Sequence, residues 1–121
     1  MPDENTLPEL TSLEQEIYSG LTTIDVFGET GQRRLRGASV MVSRIGGLGG
    51  LVAYELAAAG IGRLILAHAG NLRLSDLNRQ LLMTQSALDT PRIDCAVHRL
   101  QELNPRLEIT SLPENVNDAN V

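Results

Sequence analysis

"SRIGGLGGLVAYELAAAGIGRL", residues 43–64, decides how the rest of the chain reads. A short β-branched run, "ASVMVS" at 38–43, leads into it, and a second apolar run, "RLILAH" at 63–68, closes it. Between them lie a glycine cluster and an apolar stretch that stops at Gly60. Strand, glycine turn, helix and strand at this spacing make a βαβ unit. A glycine turn there lets the backbone reverse tightly and lets a phosphate approach main-chain N–H groups. It also sets the positive end of a helix against negative charge. "RIGGLG" supplies the second and third glycines of the G-x-G-x-x-G fingerprint, Gly46 and Gly49, with Arg44 in place of the first. On this pattern alone, glycines kept for strand–helix packing explain the turn as well as a phosphate site does.

Working outward, the spacing predicts a helix over 46–60 with Val52, Leu56 and Ala59 on one face. The two flanking strands are expected to be buried, the first of them on both faces. Downstream, "SDLNRQLL" (75–82) suits one or two helical turns. "TPRIDCAVHRLQELN" (90–104) reads as a helix capped by Thr90, with Pro91 at its first position and Ile93, Val97 and Leu100 on a shared face. Pro105 ends it, and "LEITSL" (107–112) alternates like a third strand. Upstream, Thr11 and Glu14 form a capping-box pattern for a helix over 9–19, with Leu13, Ile17 and Leu21 as its apolar face. A second helix is expected from near Glu29 to Gly37, with Arg33, Arg34 and Arg36 in its last turn.

This order predicts an α/β protein: the N-terminal half of a doubly wound, Rossmann-like parallel sheet, three strands with flanking helices, preceded by two N-terminal helices. Residues 1–37 are expected to form a helical extension and 38–121 a partial nucleotide-binding domain. Three strands leave an open sheet edge for the N-terminal helices or a partner to cover, and the chain reads as C-terminally truncated.

Composition narrows the function classes. The chain has 121 residues and a formal net charge of −5, which gives no general attraction for nucleic acid. Every basic side chain other than histidine is arginine, so a G-x-x-x-x-G-K-[ST] phosphate loop is excluded. Two tyrosines and one phenylalanine are too few for a base-stacking platform. No apolar run is long enough to span a bilayer, and "MPDENTLPEL" is unlike a secretory signal, so a cytoplasmic protein is expected. The single cysteine, Cys95, excludes an internal disulfide and reads as a small buried apolar residue. His98 reads as part of a solvated or partly packed face.

Several stretches, taken in order, carry a resemblance: "YSGLTTIDVFGETGQRRLRGASVMVSRIGGLGG", "LAAAGIGRLILAHAGNLRLSDLNRQLLM" and "PRIDCAVHRLQELNPRLEI". Over residues 18–116 the chain resembles the ThiF/MoeB/HesA family, the bacterial relatives of ubiquitin-activating enzymes. The resemblance implies a doubly wound nucleotide-binding fold that takes ATP with magnesium. It implies adenylation of the C-terminal carboxylate of a ubiquitin-like or sulfur-carrier protein, by a homo- or heterodimer of such domains.

Carried onto this sequence, the resemblance makes Gly46, Gly47 and Gly49 the phosphate-turn glycines. Arg79 and Gln80 match the family's R-Q pair, which makes Arg79 the candidate catalytic residue: it approaches the ATP phosphates and offsets charge as the carboxylate attacks. Asp76 stands where the family has asparagine, adding a negative charge near the phosphates. Arg92 takes the place of a phosphate-contacting lysine. Four departures stand out. Arg44 replaces the first turn glycine, His68 the aspartate that holds the ribose hydroxyls, Gly70 a second acid, and Gly20 an arginine that crosses the dimer. The family's magnesium aspartate and its zinc-binding cysteines fall beyond the third strand, and no metal ligands are assigned in this chain. Three readings follow: an ATP-binding domain of an adenylyltransferase, a degenerate partner serving dimerisation or carrier docking, and an inactive fragment.

Overall fold

A computed structural model describes residues 2–121. Its helices are α1 (Ser12–Ile17), α2 (Ser19–Thr22), α3 (Gly28–Arg36), α4 (Gly47–Ala59) and α5 (Arg92–Leu103), and its strands are β1 (Ser39–Ser43), β2 (Arg63–Ala67) and β3 (Glu108–Leu112). The strands form one parallel sheet in the order β1-β2-β3, with Val40 opposite Leu64 and Leu64 opposite Ile109. Parallel neighbours need crossovers, and α4 and α5 supply them. They pack on each other, α4 against β1 and α5 against β3, and so share one face of the sheet. Ile45, Leu64, Leu66, Ile93 and Leu100 fill the space between. The three-stranded Rossmann-like half-sheet read from the sequence is present. None of the helices is long and apolar enough to cross a membrane.

Several local signals act as the sequence suggests. Thr11 and Glu14 form the reciprocal capping box. Gly37 ends α3, and Gly60 ends α4 in the left-handed region at φ +96°. Cys95 is buried, its thiol donating to the Leu82 carbonyl at 3.3 Å, and His98 is exposed.

Four local expectations are corrected. The helix over 9–19 is broken at Tyr18, and its buried residues are Leu10, Glu14 and Tyr18, while Leu13 and Ile17 face outward. Glu14 is buried because Arg36 and the Thr11 N–H take both its oxygens, which turns the helix about its axis. In α4 the buried side is Gly50, Ala53 and Ala57, and Val52 is exposed. Small residues let the helix lie close to the sheet, and with Glu55 as its one charged residue the helix carries almost no directional signal. Thr90 does not cap α5; its hydroxyl donates to the Ala87 carbonyl at 2.6 Å, and Pro91 is the N-cap residue. The first strand is not buried on both faces. β1 lies at the sheet edge, its Val42 is buried beneath the helices, and its Met41 is 45% exposed on the other side.

The N-terminal helices gather where α4 ends. Gln32 Nε2 donates to the Ala59 carbonyl at 2.8 Å, and Asn104 Nδ2 reaches the Tyr18 hydroxyl at 3.4 Å. The opposite end of the sheet, where β1 gives way to the glycine turn, is left open as a cleft.

Candidate functional site

The cleft has a volume of about 650 Å³. Its floor is the outer edge of β1, and its rim is the turn from Arg44 to Gly49, the end of β2 at His68, and Asp76, Arg79, Gln80 and Arg92. All seven residues singled out from the resemblance, Gly46, Gly47, Gly49, Asp76, Arg79, Gln80 and Arg92, line it.

The turn works by close approach. A Cβ on Gly49 would collide with the Arg44 carbonyl oxygen. Glycine is therefore required for the first turn of α4 to lie against the end of β1. Gly47 faces the stem of Arg79, whose Cγ would be 3.3 Å from an added Cβ. No side chain caps the N-terminus of α4 and no acid lies in its first turn, so its N–H groups and the positive end of its dipole face the cleft. Arg44 has φ +67°, a backbone suited to the glycine it replaces. It keeps the strand register by donating its N–H to the Ala67 carbonyl at 2.7 Å, and its exposed side chain stands at the cleft.

Asp76 does not add a free negative charge. It is 5% exposed and both its oxygens are occupied. Oδ2 accepts from Arg92 Nε at 2.8 Å and from the Arg73 N–H at 2.9 Å, and Oδ1 accepts from Gln80 Nε2 at 3.1 Å. The Arg92 hydrogen bond, helped by the Arg73 N–H and by the charges of Arg92 and Arg79, holds its carboxyl below the usual range against the pull of burial. Asp76 thus positions a cation and an amide that both face the cleft. Arg92 reaches further, its Nη1 donating to the Ala69 carbonyl at 3.3 Å. Gly70 makes room for it: at φ +89°, an added Cβ there would sit 2.8 Å from Arg92 Nη1. Arg79 is exposed, and its Nη1 rests on the Ser75 carbonyl and Asn78 Oδ1 at 3.0 and 3.1 Å.

Two buried polar atoms at the rim are unsatisfied. His68 is 8% exposed and its Nδ1 has no hydrogen-bond partner; Gln80 is 6% exposed and its Oε1 has none. Burial, then the charges of Arg92 and Arg44, push the His68 imidazole below its ordinary pKa and keep it neutral at pH 7. Sequence reasoning gave no sign that His68 would be buried with its Nδ1 unbonded. It also missed the Asp76–Arg92 pair, whose members lie on different elements and share no local signal. Both unpartnered atoms, His68 Nδ1 and Gln80 Oε1, have almost no accessible surface, so they lie beneath the rim as unmet hydrogen-bonding capacity. Among the described residues no three His, Cys, Asp or Glu side chains gather as a metal-ligand set. The cleft gathers a helix N-terminus and three arginines, a set of donors suited to an anionic ligand, and magnesium finds no ready protein cage among the described residues.

Gly20, where the resemblance expects a cross-dimer arginine, is exposed in α2 with open space around its Cβ position.

Compared with known proteins, residues 18–121 match the model of the ThiF family. The heterocyst HesA protein of Trichormus variabilis is 46% identical over 112 residues, covering 93% of this chain and 42% of that protein. The sulfur carrier protein ThiS adenylyltransferase of Escherichia coli is 36% identical over 99 residues, covering 82% of this chain and 39% of that protein. Among solved structures, the tRNA N6-threonylcarbamoyladenosine dehydratase TcdA of E. coli, crystallised in complex with ATP, superposes with a TM-score of 0.84 over 93% of this chain and 46% of its own, at 23% identity. That likeness shows a shared fold. The chain spans about two fifths of the length of these curated relatives. With the glycine turn, the Arg79–Gln80 pair and the half-sheet all in place, the chain belongs to the ThiF family.

Proposed function

We propose that the cleft binds ATP as part of an adenylyltransferase acting on the C-terminal carboxylate of a sulfur-carrier or ubiquitin-like protein. The observation that carries this reading is the convergence, on one cleft, of an uncapped helix N-terminus and three arginines, one of them held by a buried carboxylate. Gly46, Gly47 and Gly49 would present main-chain N–H groups to the phosphates. Arg92, held by Asp76, would fix them in place. Arg79, resting on nearby carbonyls and exposed, would turn toward the α-phosphate as charge develops there. In the step itself the carrier carboxylate oxygen bonds to the α-phosphorus, the bond from that phosphorus to the bridging oxygen breaks, and pyrophosphate leaves. Magnesium, when bound with ATP, supplies charge neutralisation on the phosphates. One relative named above is a sulfur carrier protein adenylyltransferase, which supports the carrier as substrate, and a paired domain and a cytoplasmic setting belong to the same proposal.

The test is carrier-dependent exchange of labelled pyrophosphate into ATP by the full chain, beside Arg79→Ala. Exchange that needs the carrier and falls in the variant supports the reading. ATP binding with no exchange for any sulfur-carrier or ubiquitin-like protein offered counts against adenylation.

A second reading, a non-catalytic docking or dimerisation module, is favoured by one observation. The outer edge of β1 is unpaired among the described residues, and Met41, Leu48 and Val52 are exposed beside it. Mixing with an intact ThiF-family protein, followed by sedimentation, tests it; a chain that stays monomeric rejects it.

A further inference from the structure

Gly70, Asp76 and Arg92, three positions at which the sequence departs from the pattern it resembles, meet at one point of the cleft rim. The backbone brings the first and last together. The Arg92 N–H donates to the Gly70 carbonyl at 3.1 Å, and Asn71 and Pro91 bridge the loop after β2 to the start of α5. The Arg92 guanidinium then lies over Gly70: a Cβ added there would stand 2.8 Å from Nη1 and 4.0 Å from Cζ. The first distance forces the nitrogen to move, and the second is an ordinary contact. A side chain at position 70 therefore displaces an arginine and spares a lysine, whose ammonium ends where Cζ stands. Asp76 acts on the other side of the guanidinium. Its Oδ2 accepts from Nε at 2.8 Å, while Nη1 donates to the Ala69 carbonyl at 3.3 Å. The side chains of Arg92 and Asp76 are 15% and 7% exposed, so the pair is held largely out of water. Nε and Nη1 are committed to the protein, and Nη2 has no protein acceptor among the described residues. An arginine fixed in this way meets a phosphate with little further ordering.

We infer that Gly70, Asp76 and Arg92 work as one phosphate-anchoring unit, in which Arg92 touches the ligand and Gly70 and Asp76 are positioning residues. The missing side chain at one and the carboxylate at the other fix where the guanidinium stands. The inference rests on the ATP-binding reading above and adds that Arg92 serves there only while both neighbours are kept. It is independent of whether adenylation follows. The absence of a side chain at position 70 is the condition for an arginine at position 92, and the charge of Asp76 is turned under that arginine instead of toward the ligand.

The test is calorimetric titration of ATP with magnesium into the full chain, Gly70→Ala, Arg92→Lys and their double variant, and into Asp76→Asn, Arg92→Ala and theirs. G70A is expected to weaken ATP binding at least about ten-fold in the unaltered chain, the factor one charge-assisted hydrogen bond confers. In the R92K background the same change is expected to cost less than about two-fold, because the atom it displaces is gone. The φ of +89° strains any side chain at position 70 equally in both backgrounds, so that strain cancels in the comparison. D76N is expected to weaken binding about ten-fold in the unaltered chain and not at all in the R92A background, where no guanidinium is left to position. A merely structural role would move both backgrounds alike, and denaturation midpoints of every variant report that role separately. The D76N comparison stands by itself should G70A fail to fold. Equal losses with and without the Arg92 guanidinium overturn the inference, as does ATP binding that G70A and D76N leave unchanged, and both results leave the nucleotide reading standing. An unaltered chain that binds no ATP overturns the inference and the nucleotide reading together.

Discussion

Glu14 and Asp76 are the two buried carboxylates among the described residues, and they lie at opposite ends of the sheet. Each has an arginine on one oxygen at 2.8 Å and a backbone N–H three residues upstream. Each is held below the usual carboxylate range: Glu14 by the Thr11 N–H and the Arg36 guanidinium against a larger single pull from burial, Asp76 chiefly by Arg92. The local chemistry is nearly the same, and the consequence is not. Glu14 closes a capping box and ties α1 to α3, so its polarity is spent inside the fold. Asp76 holds Arg92 and Gln80 where both line the cleft. A buried ion pair alone is weak grounds for function. Each end also holds a buried polar atom without a partner, Gln32 Oε1 at one and Gln80 Oε1 at the other, so what separates them is what lies beyond the pair: packed helices at one, an open cleft lined by Arg44, Arg79 and Arg92 at the other.

The largest expected effect comes from breaking the cleft pair. Asp76→Ala would leave Arg92, whose side chain is 15% exposed, without its anion and would free the Gln80 amide. Removing one partner of a buried pair costs about 3–5 kcal/mol, so chemical denaturation should show a loss of that order. Nucleotide affinity should fall with it. Arg79→Ala sharpens the contrast from the other side. The side chain is exposed and bonds only nearby oxygens, so stability should change by less than about 0.5 kcal/mol while ATP affinity falls roughly ten- to a hundred-fold. Equal affinity in this variant would remove Arg79 from the site.

At the opposite end, Glu14→Ala should cost about 1–2 kcal/mol through the lost capping box and Arg36 contact, with nucleotide binding unchanged. Acid titration gives the same contrast a pH axis. The folded pKa values of Glu14 and Asp76 are depressed, so their contributions are complete above the ordinary carboxylate range and are lost as pH falls through the lowered folded values. His68 is depressed too, because burial disfavours its charge, so the unfolded chain takes up this proton first and stability starts to fall just below the ordinary histidine value. Denaturation midpoints followed from pH 8 downward should show two descending segments, and His68→Asn should erase only the upper one.

What the sequence made legible follows the range of each signal. The capping box of Thr11 and Glu14, the left-handed stop at Gly60 and the crowded Gly49 are local, and each is where its residue type demands. The strands and their parallel order follow from spacing. The buried face of α4 was not legible, because apart from Glu55 the helix has no charged residue to mark a solvent side, and docking on the sheet chooses Gly50, Ala53 and Ala57. Glu14 was misplaced for the same reason, since its partner Arg36 lies on another helix. In the site, the residue types were readable and their pairing was not. Nothing near Asp76 announces that Arg92 will neutralise it, nor that His68 will end buried with a nitrogen unbonded.

Arg44 carries the smallest expected effect and the most direct test of the glycine turn. Its φ of +67° is a conformation that glycine adopts freely and that costs a side-chain-bearing residue about 1–2 kcal/mol. Arg44→Gly removes that strain and adds some freedom to the unfolded chain, so a net gain of at most about 1 kcal/mol is expected, read from the denaturation midpoint. A gain in stability together with weaker binding of ATP would mean that the strained backbone is retained for the guanidinium it carries. A gain in stability with no change in any nucleotide's affinity would mean that Arg44 is merely tolerated at a position built for glycine. A loss of stability would mean that the side chain packs on the rim strongly enough to outweigh the strain. The three outcomes separate a ligand-binding role for Arg44 from a packing role and from none, at the position where this turn departs from the fingerprint.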